Sequence, residues 1–198
     1  MDMELTYIYH SGFALSGDGF TVIMDYYRDS EDGQAQADLN RLMDGTFSNQ
    51  EAGMPEGTVH SELLRRPGKL YVLASHFHPD HFNKEVLQWR EQRPDIIYIF
   101  SKDILRHRRA QKEDAVWLKK GEEYKDETLS VRAFGSTDVG VSFLLQASGK
   151  KIFHAGDLNN WHWMDESTEA EWKLSLIHIS EPTRPLYISY AVFCLKKK

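Results

Sequence analysis

The sequence predicts a layered α/β fold. Three observations carry that prediction: short apolar, strand-like runs alternate with helix-like segments; turn residues punctuate the joins; and a dense polar cluster directly follows an apolar run. Open α/β sheets gather functional groups at the carboxyl ends of their strands, so the last observation fits the first two. At 198 residues the chain can bury one substantial core and reads as one domain.

Leu5 to Tyr9, Phe13 to Ser16 and Phe20 to Asp25 read as sequential strands, with Gly17-Asp18-Gly19 as a turn. A polar region from Arg28 to Gly68 follows, with a short helix expected around Ala37 to Met43. It is either an exposed insertion or a lid, since long loops are often functional. Leu70-Tyr71-Val72-Leu73-Ala74 reads as a buried strand, and Asn83 suits the cap of a helix beginning near Lys84 and ending before Pro94. Ile96 to Phe100 gives another strand and Lys102 to Arg109 a short helix, whose run Arg106, His107, Arg108 and Arg109 reads as a solvated face. Ala115 to Leu118, Thr128 to Phe134, Val141 to Gln146 and Lys151 to His154 read as β elements, with Ser148-Gly149-Lys150 turning the last pair.

Chemistry concentrates in Ser75-His76-Phe77-His78-Pro79-Asp80-His81, where three imidazoles and a carboxylate fall within six residues. Neutral imidazole is the commonest side-chain ligand for zinc and suits iron, and a carboxylate adds an anionic oxygen or a base. In an extended segment His76 and His78 point to one side, while Asp80 and His81 project from the turn that follows. Two adjacent sites fit there.

His76-x-His78-x-Asp80-His81 resembles the signature of the metallo-β-lactamase-fold hydrolases, and Phe153-His154-Ala155-Gly156-Asp157 resembles their second motif. Tyr9-His10-Ser11-Gly12-Phe13, followed by Val22-Ile23-Met24-Asp25, is similar to the lactonase-like and phosphodiesterase-like branch. The likeness runs from about Leu5 to about Trp172 and sharpens the expected fold to an incomplete αββα sandwich. It implies one or two divalent metal ions, zinc first, with manganese and iron as alternatives. His76 and His78 would hold one, Asp80 and His81 the other, and Asp157 would bridge them. Asp80 would also orient the attacking water or accept its proton, which makes it the catalytic candidate.

The chain departs from the family pattern in two places. Where a third histidine is usual, it reads Phe134-Gly135-Ser136-Thr137-Asp138-Val139-Gly140. Either Asp138 substitutes as an oxygen ligand, or Ser136 and Thr137 contact substrate, or the segment is a capped turn. The usual last histidine would lie beyond the point where the likeness stops, and His178 is a poor replacement. His10 is either an additional ligand or structural, and Asp25 carries the same ambiguity. His154 reads as packing or as support for a ligand, and Trp161, His162 and Trp163 as core aromatics or the lining of a substrate mouth.

From about Leu174 the sequence Leu-Ser-Leu-Ile-His-Ile-Ser-Glu-Pro-Thr-Arg-Pro resembles translated sequencing-adapter DNA. Residues 174–198 are therefore expected to be foreign, leaving 1–173 as a metallo-β-lactamase-like domain whose C-terminal part is missing. The alternative is a basic C-terminal strand and tail. Charge agrees with a break: the chain carries 24 Lys+Arg against 30 Asp+Glu, and the tail has four of the bases and one of the acids, so residues 1–173 bear −9. That balance argues against broad nucleic-acid or anionic-membrane binding. The single cysteine, Cys194, lies in the tail, which rules out a disulfide framework. No signal peptide or transmembrane span is evident, so a cytoplasmic location is expected. The expected function is metal-dependent hydrolysis of an ester, lactone or phosphodiester in a small, anionic substrate, with no membrane or nucleic-acid partner. The alternative is a metal-binding or ligand-sensing module without turnover.

Overall fold

A computed structural model describes residues 3–28, 63–158 and 192–195. The chain forms two compact units, Met1–Ala74 with His78–Ile99 and Ser75–Phe77 with Phe100–Lys198. The helix expected at Ala37 to Met43, and Trp161, His162, Trp163 and His178, lie outside the described residues. Among the described residues no helix is long and apolar enough to cross a membrane.

The first unit opens with β1 (Glu4–Tyr9), β2 (Gly12–Gly17) and β3 (Phe20–Met24), an antiparallel meander in which Phe13 faces Met24 and Gly17 faces Phe20. β4 (Lys69–Ala74) joins β3 in parallel, and β5 (Ile97–Ser101) comes next in the sheet order. All five residues of β3 are buried, as is β4 from Leu70 to Ala74. Strands covered on both faces are predominantly apolar rather than alternating, as in Phe20-Thr21-Val22-Ile23-Met24, where Thr21 is the one polar residue, and in Leu70-Tyr71-Val72-Leu73-Ala74. The ladder continues one step, from Asp25 N–H to Leu73 O at 2.9 Å. Tyr26 O accepts from Asn83 N–H at 3.1 Å and Tyr27 O from Asn83 Nδ2 at 2.7 Å, tying the end of β3 to the turn after Asp80.

The helix expected from Lys84 is present over Lys84–Glu91, but it winds as a 3₁₀-helix, capped by Asn83 Oδ1 accepting from Glu85 N–H at 2.9 Å. Its buried residues, Val86 and Trp89, are three apart. A three-residue turn stacks such positions directly above one another. Trp89 packs edge-on to Tyr26, 4.8 Å between ring centroids.

In the second unit the antiparallel order is β11-β10-β9-β8-β7, built from β7 (Glu123–Lys125), β8 (Ser130–Gly135), β9 (Val141–Ala147), β10 (Lys150–His154) and β11 (Val192–Leu195). β8 alternates, with Val131 and Ala133 inward and Arg132 outward. The inward set of Val131, Ala133, Phe143, Leu145 and Ile152 forms this unit's core. Ser148 and Gly149 have φ of 48° and 75°, the pair of left-handed residues that a two-residue hairpin requires. β7 was not expected. Asp126 terminates it with Oδ1 accepting from Thr128 and Leu129 N–H, both at 2.8 Å, which also delays β8 to Ser130. α1 covers only Lys102–Arg106, because Arg108 turns to φ 54° and ends the helix. β6 (Val116–Leu118) lies after it, and β11 falls within the segment read as foreign.

Candidate metal centre

β4 ends at Ala74, so the histidine cluster sits in a tight bend rather than in an extended strand. His81 and Phe82 N–H both donate to His78 O, at 3.0 and 2.8 Å, which coils Pro79 and Asp80 into one turn and brings His81 inward. In the first unit that turn meets the end of β1. One ligand atom each from His10, Asp80 and His81 lies within 4.8 Å of the others.

His81 is the anchor of this set. Its Nδ1 is 2.7 Å from Asp25 Oδ2, and neither side chain is exposed. An ionised carboxylate only accepts, so Nδ1 carries the proton and Nε2 presents its lone pair. Nε2 is 3.7 Å from Asp80 Oδ2, and His10 Nδ1 is 3.8 Å from the same oxygen. Two ligands bound at zinc distances on a tetrahedral ion stand about 3.4 Å apart, so these spacings are within a few tenths of an ångström of bound geometry. His10 and Asp25 both have left-handed backbone, φ 55° and 47°. Such conformations in non-glycine residues cluster at functional sites.

Ser11 Oγ lies 3.3 Å from His81 Nε2 and 3.0 Å from His10 Nδ1. The line Ser11, His81, Asp25 has the order of a serine-hydrolase triad. Ser11 is only 1% exposed, however, and a nucleophile sealed from solvent has no substrate to attack. Asp25 thus orients His81 within the candidate ligand set.

The second unit holds another set. One ligand atom each from His76, Asp138 and Asp157 lies within 4.8 Å of the others, with His76 Nε2 3.6 Å from Asp157 Oδ2. His76 is fully buried, and its Nδ1 is 3.0 Å from Ser75 Oγ. Backbone contacts shape the surroundings: Val141 N–H donates to Ser75 O at 3.0 Å. Gly140, at φ 76°, lets this happen, since an added Cβ would sit 2.3 Å from Ser75 O and 2.5 Å from His76 Cβ. Phe77 N–H donates to Asp103 Oδ2 at 3.0 Å, and the Phe77 ring stacks on His107, 3.7 Å between centroids.

The remaining candidates fall as follows. His78 belongs to the first unit and is half-buried. Ser136 is 6% exposed and its Oγ accepts from Asp138 N–H at 3.3 Å, so it forms a turn that presents Asp138. His154 is 2% exposed on β10 and lies in neither ligand set. Ser11, Ser75, Asp103 and Gly140 went unnoticed in the sequence as site residues. Each acts through a contact distant in sequence or through backbone, except Ser75, whose place beside His76 was the one available signal.

Both sets fit a divalent ion. They offer imidazole nitrogen and carboxylate oxygen with no thiolate; the first set's two histidines with one carboxylate is a pattern that leaves coordination positions open in catalytic zinc and non-haem iron sites, while the second set has one histidine and two carboxylates.

A family model described as "Beta-lactamase superfamily domain" matches residues 4–171. No curated protein matches the sequence. Among solved structures, Igni18, a metallo hydrolase from the archaeon Ignicoccus hospitalis KIN4/I, is similar with a TM-score of 0.54 at 18% identity, over 82% of this chain and 64% of its own. This chain therefore spans less than two thirds of that protein's length. A structure described as a possible metal-dependent hydrolase from Veillonella parvula DSM 2008 gives 0.53 at 13% identity, over 90% of this chain and 68% of its own. CmlA, a diiron β-hydroxylase from Streptomyces venezuelae, gives 0.52 at 17% identity, over 82% of this chain and 31% of its own. At these identities the likeness is one of fold.

Proposed function

The chain belongs to the beta-lactamase superfamily, and on that premise we propose that it is a metal-dependent hydrolase of an ester, lactone or phosphodiester bond in a small, anionic substrate. Its fold is the mixed α/β fold of the metallo-β-lactamase type, with few helices. The superfamily binds one or two divalent metals, and the candidate ligand sets here suit that use.

The observation that carries the proposal is the His81 arrangement: a fully buried imidazole, locked by Asp25 at 2.7 Å, in a set with His10 and Asp80. These three residues would hold the ion in the first unit. His76, Asp138 and Asp157 would hold one in the second, and the His76-x-His78 spacing adds His78 on sequence grounds. The chemistry an ion supplies when bound is Lewis acidity, which lets water ionise near neutral pH and polarises a carbonyl or phosphoryl oxygen. Zinc suits this, with manganese or iron as alternatives.

The chain's own residues do the rest. Asp25 keeps the proton on His81 Nδ1, so that Nε2 stays a ligand atom rather than a donor. Asp80, whose side chain is 35% exposed, would orient water and accept its proton at a carboxylate oxygen. His10, 21% exposed, stands at the rim.

The test is turnover of 4-nitrophenyl acetate and bis(4-nitrophenyl) phosphate by the whole chain. Hydrolysis of at least one is expected, lost on chelation and restored by zinc. The second reading, a metal-binding or ligand-sensing module, is favoured by Ser136 and Asp138 standing where a histidine is usual. Metal retention without hydrolysis of either compound would establish it instead.

A further inference from the structure

The ligand sets leave one cation near His10 unused. Arg28 is half-buried, and its Nη2 donates to Tyr9 Oη at 2.7 Å. The guanidinium carbon stands 4.3 Å from the Tyr9 ring centroid and 5.6 Å from that of Tyr27. The two rings are themselves stacked, 5.8 Å apart with 20° between planes. Tyr27 in turn meets His10 edge-on at 5.9 Å, so a single aromatic ring separates the guanidinium from a candidate metal ligand. Among the described residues no carboxylate pairs with Arg28, and its buried Nε has no hydrogen-bond partner.

Among the described residues this half-buried cation has no counter-ion, although the chain as a whole carries a net charge of −6. Two aromatic faces stabilise it in part and hold its plane fixed. Fixing a guanidinium in this way leaves a rigid fork of N–H donors, which matches the paired oxygens of carboxylate or phosphate better than an ammonium does. We infer that Arg28, seated on Tyr9 and Tyr27, is a subsite for an oxyanion carried by the substrate away from the bond that is cleaved. This rests on the hydrolase reading of the site and narrows it to substrates bearing a carboxylate or phosphate separated by several bonds from the scissile one.

The experiment uses the whole chain after chelation, so that neither a metal nor turnover contributes. Binding of phenyl phosphate, phenylacetate and benzyl alcohol is measured by titration calorimetry for wild type, Arg28→Gln and Arg28→Lys. At least one anion should bind wild type more tightly than benzyl alcohol does, and the tighter of the two identifies the oxyanion as phosphate or carboxylate. Arg28→Gln should weaken that anion by about tenfold or more, with Arg28→Lys in between and benzyl alcohol unaffected. Equal affinity of wild type for the anions and the alcohol would overturn the inference whether or not the variants fold. Anion binding retained in Arg28→Gln would overturn it too. A chain that binds the anion but hydrolyses nothing would instead refute the enzyme reading and leave this subsite standing.

Discussion

In the first unit the buried imidazole of His81 is held by a carboxylate; in the second, that of His76 is held by a hydroxyl. The surroundings differ in the same way. His81 depends on one charge-assisted bond to Asp25 and on two non-glycine residues, His10 and Asp25, in left-handed backbone. His76 depends on backbone packing, with Gly140 and Gly156 both lacking the Cβ that would strike Ser75. Similar ligand chemistry is therefore prepared by side-chain electrostatics in one place and by steric permission in the other. The first should fail when a functional group is removed, the second when an atom is added.

Removing the carboxylate should have the largest effect. Asp25→Ala should lower zinc affinity by about 10–100-fold and stability by about 2–3 kcal/mol, read by competition with a chelating dye and by urea unfolding. Unchanged zinc affinity would mean that His81 needs no orienting partner. In the second unit Gly140→Ala should cost about 2 kcal/mol, because the new Cβ meets Ser75 O in a backbone conformation that L-residues seldom adopt. A melting temperature equal to wild type would show that the approach to Ser75 is not tight. Ser75→Ala should cost less, about 1 kcal/mol, since the hydroxyl contributes one neutral hydrogen bond to His76 Nδ1. An effect as large as that of Asp25→Ala would erase the distinction between the two units.

The smallest effect is expected away from both sets. Glu122 is held below the ordinary glutamate range, first by the hydrogen bond that Lys119 N–H donates to it at 3.0 Å. A lowered folded pKa means stability that is present above the unfolded value and lost as pH falls through the folded one. Glu122→Gln should thus be slightly less stable than wild type at neutral pH, with the difference vanishing in acid. A difference that grows as pH falls would have the wrong sign.

Much of the fold was readable because burial leaves a direct trace. β3 and β4 are largely apolar since both faces are covered, with Thr21 and Lys69 the polar residues, and Ser148-Gly149 is one of few dipeptides suited to its turn. β7 was missed because three half-exposed residues leave no such trace, and its end is set by the Asp126 side chain. The two candidate ligand sets were only half legible. His76, Asp80 and His81 lie in one motif, and Asp157 in a second. Asp25 is 56 residues from the histidine it holds, and no local pattern distinguishes an orienting carboxylate from a strand end. His10 was ambiguous for the same reason: the Asp80 it stands beside is 70 residues away in the chain. The Ser136 position shows the converse, since the turn built by its hydroxyl brings Asp138 into the second candidate set.

In the proposed function, His81, fixed by Asp25, anchors a metal on which hydrolysis depends. Zinc bound per chain after equilibrium dialysis, measured by mass spectrometry for wild type and for His81→Ala and paired with the rate on the better chromogenic ester, tests it most directly. His81→Ala should lose one zinc per chain and, with it, essentially all metal-dependent hydrolysis. A folded His81→Ala chain with full zinc content, or with the wild-type rate, would contradict it.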